Sequence, residues 1–294
     1  LNNRIMEDGG KVIIENIRDF EPKHVFDCGQ CFRWYEEGDG SYTGVVQGRV
    51  INVKKDGQTL VLDNTDKKEF DGLWYDYFDM GRDYGKIKNE LSEDDTLKEA
   101  IGFGEGIRIL KQDEWETLIS FIISANNRIP MIKRAIKEIS EKWGKPVVYK
   151  GNTYHSFPSP QDLKDASVED FESCHTGFRA KYIKKTVEMV INKEIDLYNL
   201  KNLTYAEARN ELMKLPGVGP KVSDCILLFS MYYYEAFPVD VWVKRVMQHF
   251  YLAPDVSLPK IEKFGQEKFK KLAGFAQQYL FYYARDLKGK EISV

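Results

Sequence analysis

Leu215–Phe229 reads LPGVGPKVSDCILLF. Pro216-Gly217 stops whatever precedes it, and Gly219-Pro220 opens a helix, since proline suits the first helical position. Upstream, Thr204-Tyr-Ala-Glu207 has the spacing of a capping box, so a first helix runs from there through Leu212 to about Leu215. Residues 204–230 are therefore two helices joined by a tight glycine-rich turn. The second helix buries Val222, Cys225, Ile226 and Phe229 by their spacing. Lys221 then falls in its first turn, at the positive end of the macrodipole, where an acidic residue would be the stabilising choice. The turn itself supplies a context for that misfit. Two glycines leave no side chain between backbone N–H groups and an anion, and unpaired amides at a helix N-terminus suit a phosphate. The hairpin reads as a phosphodiester grip, with Lys221 beside it as either a phosphate contact or a nucleophile.

Outward from the hairpin the chain changes character once. Tyr42–Asn64, YTGVVQGRVINVKKDGQTLVLDN, alternates short β-branched runs with Gln-Gly and Asp-Gly turns, the pattern of antiparallel hairpins. From Leu97 onward apolar residues recur at helical spacing: Trp115, Leu118, Ile119 and Ile122, then Ile129, Ile132, Ile136 and Ile139. His155–Pro160 is read as a loop, and Phe178–Lys193 as a longer helix with its cations early. The expected fold class is α+β, with an N-terminal antiparallel sheet domain over residues 1–100 and an all-helical domain over 101–294. No internal repeat is evident.

The 294 residues are 43% hydrophobic and 30% charged, a globular composition with room for a large core. No apolar run approaches the roughly 20 residues of a membrane-spanning helix, and LNNRIMEDGG lacks the basic-then-apolar pattern of a secretory signal. Cys28-Gly-Gln-Cys31 is formally a CxxC pair, but no second pair completes a zinc site, and the flanking Phe and Trp read as strand rather than as the start of a redox helix. Reduced thiols in a cytoplasm-like compartment are expected. The net charge of −3 argues mildly against a nucleic-acid partner, although whole-chain charge averages over faces: Glu69–Asp95 is acidic and Lys260–Lys290 basic on balance.

The longer stretch LPGVGPKVSDCILLFSMYYYEAFPVDVWVKR resembles the helix–hairpin–helix and aspartate signature of the DNA glycosylase superfamily, with Asp240 in FPVDV lying 19 residues beyond Lys221. Three further segments resemble its 8-oxoguanine DNA glycosylase branch: CGQCFRW at Cys28–Trp34, ISFIISANNRI at Ile119–Ile129 and GFAQQYLFYYARDL at Gly274–Leu287. Iron–sulfur relatives carry four cysteines after the aspartate, and no cysteine follows Cys225 here. The resemblance implies an N-terminal domain like the TATA-binding-protein fold and a helical catalytic domain with its hairpin at 204–230 and aspartate loop at 236–242. It implies base removal and strand cleavage through a Schiff base on duplex DNA carrying 8-oxoguanine opposite cytosine. It implies no organic cofactor and no required metal, with the carbonyls of Leu215 and Val218 as candidate ligands for a bracing monovalent cation. A monomer is expected, cytoplasmic or wherever the genome lies. The two alternatives are a glycosylase for another damaged purine and a non-catalytic hairpin protein that only grips DNA.

By the same resemblance Lys221 is the nucleophile and Asp240 the catalytic carboxylate. An amine must be uncharged to attack, and the positive end of a helix disfavours its charged form. A carboxylate beside C1′ would stabilise oxocarbenium charge, though Asp240 is also a natural N-cap. The carbonyl of Gly29 would accept the N7–H that oxidation creates, Gln277 would bond the Watson–Crick edge, and Phe281 and Cys225 would sandwich the ring, with Pro238 lining the pocket. Asn126 would fill the gap left by the flipped base, with Arg179 as a second reader of the orphaned cytosine and Phe178 as a wedge. Gly217, Gly219 and Trp242 would lie on the DNA backbone. Each has a plainer reading: a helix cap for Asn126, a solvated or phosphate-contacting charge for Arg179, core packing for Phe178, Phe281 and Cys225, a strand-end glycine for Gly29, a surface amide for Gln277. Met131 stands where eukaryotic-type members have an arginine and Trp242 where they have histidine, so looser selection of the opposite base is expected.

Overall fold

The computed structural model describes residues 3–286; Leu287 and the lysines at 288 and 290, which belong to the C-terminal motif and the basic segment above, lie outside the described residues. Six strands, β1 (Arg4–Asp8), β2 (Lys11–Glu15), β3 (Trp34–Glu36), β4 (Tyr42–Val46), β5 (Arg49–Asp56) and β6 (Thr59–Asp63), pair antiparallel in the order β1-β2-β6-β5-β4-β3. The β4–β5 register, from Tyr42↔Val53 to Val46↔Arg49, is set by Gln47-Gly48, both at positive φ (48° and 74°). That is the two-residue turn whose twist matches paired strands. Alternate residues of β2 and β6 (Val12, Ile14, Leu60, Leu62) are fully buried against Trp34, Trp74 and Phe78, which fixes the sheet's inner face.

The helices of eight residues or more are α1 (Tyr84–Leu91), α2 (Asp95–Phe103), α3 (Glu114–Ser124), α4 (Ile129–Trp143), α5 (Ala180–Ile191), α6 (Tyr205–Leu212), α7 (Pro220–Ser230), α8 (Val241–Phe250), α9 (Leu258–Phe269) and α10 (Ala273–Asp286). They share a second core running from Tyr84 to Ala284, in which α3 and α7 are buried almost all round. A helix without an exposed apolar-to-polar boundary is held from every side, so α7 carries Lys221 on a rigid element.

Two local readings change. Residues 27–33 form an irregular bend, with the strand beginning only at Trp34; the segment is anchored by side chains rather than by a ladder. A hairpin, β7 (Pro146–Tyr149) and β8 (Asn152–His155), stands before the loop, and its turn Lys150-Gly151 is again at positive φ (47° and 78°). Its Tyr149 packs on Val45 and Val50 of the main sheet. The tripeptide Tyr-Lys-Gly carries too weak a turn signal to be read in advance.

Candidate active site

The hairpin forms as its capping residues dictate. Thr204 and Glu207 make the reciprocal capping box on α6, and Leu215 O accepts from Val218 N–H at 3.2 Å to close the turn. Asp224 of α7 ties the two helices together, its carboxylate accepting from Arg209 Nε and Tyr205 OH, both at 2.8 Å. Gly217 has φ +79°, and a Cβ there would meet the Tyr182 ring at 2.6 Å. Gly219, the N-cap of α7, offers no side-chain cap and has open space on its Cβ side, so the first-turn amides are left for an outside acceptor. A Gly217→Ala variant is expected to lose roughly 1–3 kcal/mol of stability in thermal or denaturant unfolding, and to bind duplex DNA more weakly because the turn is displaced.

Lys221 projects from α7 over the Phe121 ring, with Nζ 5.3 Å from its centroid. Among the described residues it forms no salt bridge. Asp240 caps α8 with one oxygen only, Oδ1 accepting from Trp242 N–H at 3.0 Å and Val243 N–H at 2.8 Å. Neither cap bond engages Oδ2, so capping α8 does not use up the carboxylate. Burial pushes the Asp240 carboxyl above its ordinary range, opposed by the Val243 amide and the Lys221 charge. The same Lys221 charge opposes the burial that pushes the Cys225 thiol up to about 11.

Lys221, Cys225 and Asp240 line one cleft of about 570 Å³, together with Gly29, Pro238, Gln277 and Phe281. Asn126 and Trp242 stand along the same cleft. Gly29 has φ +79°, and a Cβ would come within 2.9 Å of Phe281 Cε1; both the backbone and the close approach of the ring demand glycine. Gln277 is 5% exposed, and among the described residues its Oε1 has no hydrogen-bond partner. A buried amide oxygen left unpaired costs about 1–3 kcal/mol, which a ligand donor at that edge would recover.

Comparison with known proteins gives the family. Residues 119–279 match the HhH-GPD superfamily base excision DNA repair protein profile, and residues 12–118 match the 8-oxoguanine DNA glycosylase N-terminal domain. The chain belongs to the HhH-GPD superfamily, in its 8-oxoguanine glycosylase branch. It is 54% identical to the Clostridium acetobutylicum 8-oxoguanine glycosylase/lyase solved with double-stranded DNA containing cytosine opposite 8-oxoG, with a TM-score of 0.96 over 97% of this chain and 98% of that one. The N-glycosylase/DNA lyase OGG1 of Arabidopsis thaliana is 32% identical over 87% of this chain and 75% of its own length. The 3-methyladenine DNA glycosylase of Archaeoglobus fulgidus shares the fold, with a TM-score of 0.75 at 20% identity, over 93% of this chain and 98% of that one. A shared fold does not by itself fix which base is recognised.

Within GQCFRW at Gly29–Trp34 the side chains of Gln30, Phe32, Arg33 and Trp34 each have a task. Gln30 is fully buried, donating to the carbonyls of Val25 (2.9 Å) and Arg108 (2.7 Å) and accepting from Leu110 N–H (2.8 Å). Phe32 packs edge-on to Phe121 in the helical core, while Trp34 stacks on Phe26 in the sheet core. Arg33 spans the gap to Glu116 at 3.3 Å, a carboxyl that burial pushes up to about 6 against the pull of that arginine. The motif pins an irregular bend between two cores. Cys28 and Cys31 are buried thiols, both raised by burial, Cys28 to about 11, which is the opposite of an activated thiol.

On the rim, the plainer readings of three residues fail. Asn126 does not cap α4; its neighbour Asn127 accepts from Arg128 N–H, and Asn126 sits at φ +50° with its side chain unbonded among the described residues. Phe178 is not core: it is 57% exposed, lying over Arg179 and edge-on to Tyr182. Arg179 is neither a solvated charge nor turned outward. It is buried, and its guanidinium donates to Ala125 O and, at 2.9 Å, to Asn126 O, so it holds up the loop that presents Asn126. Met131 is exposed on the first turn of α4.

Proposed function

We propose that this chain removes 8-oxoguanine from duplex DNA and then cleaves the strand, with Lys221 as nucleophile. The observation that carries this reading is an amine on a rigid helix, without a salt bridge among the described residues, sharing a cleft with the Asp240 carboxylate, whose Oδ2 the helix cap does not use. The hairpin amides hold a phosphate beside the lesion, which is extruded at a cost of a few kcal/mol. The flipped base enters between Phe281 and Cys225, donates N7–H to Gly29 O, and offers its Watson–Crick donors to Gln277. Lys221 Nζ attacks C1′ as the glycosidic bond breaks, and the purine leaves with a proton. Asp240 stabilises the positive charge that develops on the sugar ring. Opening of the sugar gives a Schiff base on Nζ; loss of a C2′ proton then expels the 3′ phosphate by β-elimination. Outside the cleft, Asn126 occupies the vacated space opposite cytosine, Phe178 wedges the stack open, and Arg179 supports Asn126. The enzyme works wherever the cell keeps its DNA.

A wedge and a supported asparagine read the orphan base with fewer charged donors than a design that adds an arginine at position 131. Discrimination is therefore looser. The test is borohydride trapping with 8-oxoguanine placed opposite each of the four bases, alongside duplexes carrying 3-methyladenine or no lesion. A covalent adduct is expected on the 8-oxoguanine duplexes, strongest opposite cytosine and falling by roughly tenfold or less opposite the others, about 1.4 kcal/mol of discrimination. Adducts that ignore the lesion, or prefer 3-methyladenine, would overturn the assignment.

A further inference from the structure

The bend at residues 27–30 presents four consecutive carbonyls, and three of them are spoken for. Asp27 O accepts from Arg285 Nη2, Cys28 O from Gln278 Nε2 at 2.6 Å, and Gln30 O from Gln112 Nε2 at 2.8 Å. Among the described residues, Gly29 O alone accepts nothing, and Gly29 lines the cleft. The donors come from the helical domain. Gln278 and Arg285 lie on α10 with Phe281 between them, at i, i+3 and i+7 on one face, and Gln112 precedes α3. The backbone N–H of Gln112 donates to Phe229 O at 3.0 Å, at the far end of the helix that carries Lys221.

Glycine at φ +79° reaches both signs of φ readily, and a peptide plane next to such a residue is free to turn unless its neighbours are held. A carbonyl that turns away from the cleft accepts nothing from N7–H, and replaces an acceptor by an N–H that welcomes the N7 lone pair of undamaged guanine. Resting on the Gly29 reading above, we propose that Gln278 and Arg285 are positioning residues that fix the direction of the Gly29 carbonyl and so set the discrimination of 8-oxoguanine from guanine. Neither touches the reacting atoms; each acts through the bend. Gln278 is 1% exposed and donates to Cys28 O, Arg285 packs over Phe281 at 5.6 Å, and both stand in the cleft wall beside Gly29.

The test compares release of 8-oxoguanine with release of 7-deaza-8-oxoguanine, in which CH2 replaces N7–H, and with cleavage at a preformed abasic site. The wild type is expected to favour 8-oxoguanine over the deaza base by roughly tenfold in kcat/KM. In Gln278→Met and Arg285→Met that preference is expected to collapse towards unity, through slower 8-oxoguanine release, while abasic-site cleavage stays within about twofold; Arg285→Lys, which keeps a donor, is expected to restore part of it. A retained preference overturns the proposal, whether total activity holds or falls. So does a loss of abasic-site cleavage in step with base release, since that assigns both residues to folding alone. A wild type that releases both bases equally overturns instead the Gly29 reading on which the clamp depends, and the two failures are told apart by which protein shows them.

Discussion

Lys221→Gln is expected to yield no borohydride-trappable adduct and to slow base release by roughly a thousandfold or more, because among the described residues no other lysine lines the cleft. Binding to the lesion duplex is expected to persist within a few-fold, since the phosphate grip proposed for the hairpin uses backbone amides that the substitution leaves in place. Stability is the informative control. Removing a cation from the positive end of a helix should gain about 0.3–1 kcal/mol, while losing the contact over Phe121 should cost about 0.5–1 kcal/mol. The two nearly cancel, so unfolding is expected to shift by less than about 1 kcal/mol in either direction. A variant that is stable, binds and cannot form the adduct isolates the amine as a chemical group rather than a scaffold element. A variant that still traps would move the nucleophile elsewhere and leave Lys221 as a phosphate contact. On the proposed reading the misplaced charge is a site where local electrostatics yields to chemistry, as functional positions commonly do.

How far the sequence carried depends on which forces act locally. The Thr204 capping box, the Gly-Pro helix start and the Gln47-Gly48 and Asp56-Gly57 turns are decided by a few adjacent residues, and the structure follows them. The same holds for Asp240, whose position before Val-Trp-Val marked it as a cap. Legibility fails where long-range hydrogen bonds replace local propensity. Residues 27–33 look like strand in isolation but are bent by Gln30, whose partners Arg108 and Leu110 are about eighty residues away. Arg179 looks like a surface charge at a helix start, and becomes a buried brace because two carbonyls of a distant loop receive it. Gln278 and Arg285 went unread although they share the α10 stripe with Phe281; the helical repeat from Phe281 was enough to find their face, but not what that face meets.

Asp240→Asn separates the two tasks of one carboxylate. Asparagine ranks with aspartate as an N-cap, and its side-chain oxygen can accept from Trp242 and Val243 N–H as Asp240 Oδ1 does, so α8 is expected to stay intact. What disappears is the negative charge of a carboxylate that lines the cleft and that the proposed mechanism sets against the sugar. Electrostatic stabilisation of a developing cation in a low-dielectric cleft is typically worth a hundred- to thousandfold, and base release is expected to fall by roughly that factor. Adduct formation on a preformed abasic site, where no glycosidic bond remains to be broken, is expected to fall far less. The pH dependence follows from burial, which holds the folded carboxyl above the ordinary aspartate value of 3.8. Base release by the wild type is expected to decline on the acid side at a pH above the usual carboxylate range, and that limb should vanish in Asp240→Asn. Stability carries the opposite sign: with the folded value raised, the folded state binds the proton more tightly, so this group's contribution is fullest below 3.8 and is lost as pH rises through the folded value. Asp240→Asn is therefore expected to melt at or above the wild-type temperature at neutral pH, with the difference shrinking as pH falls towards 4. A variant that lost base release and abasic-site reaction equally, and melted lower at every pH, would show that the carboxylate serves the helix and not the sugar.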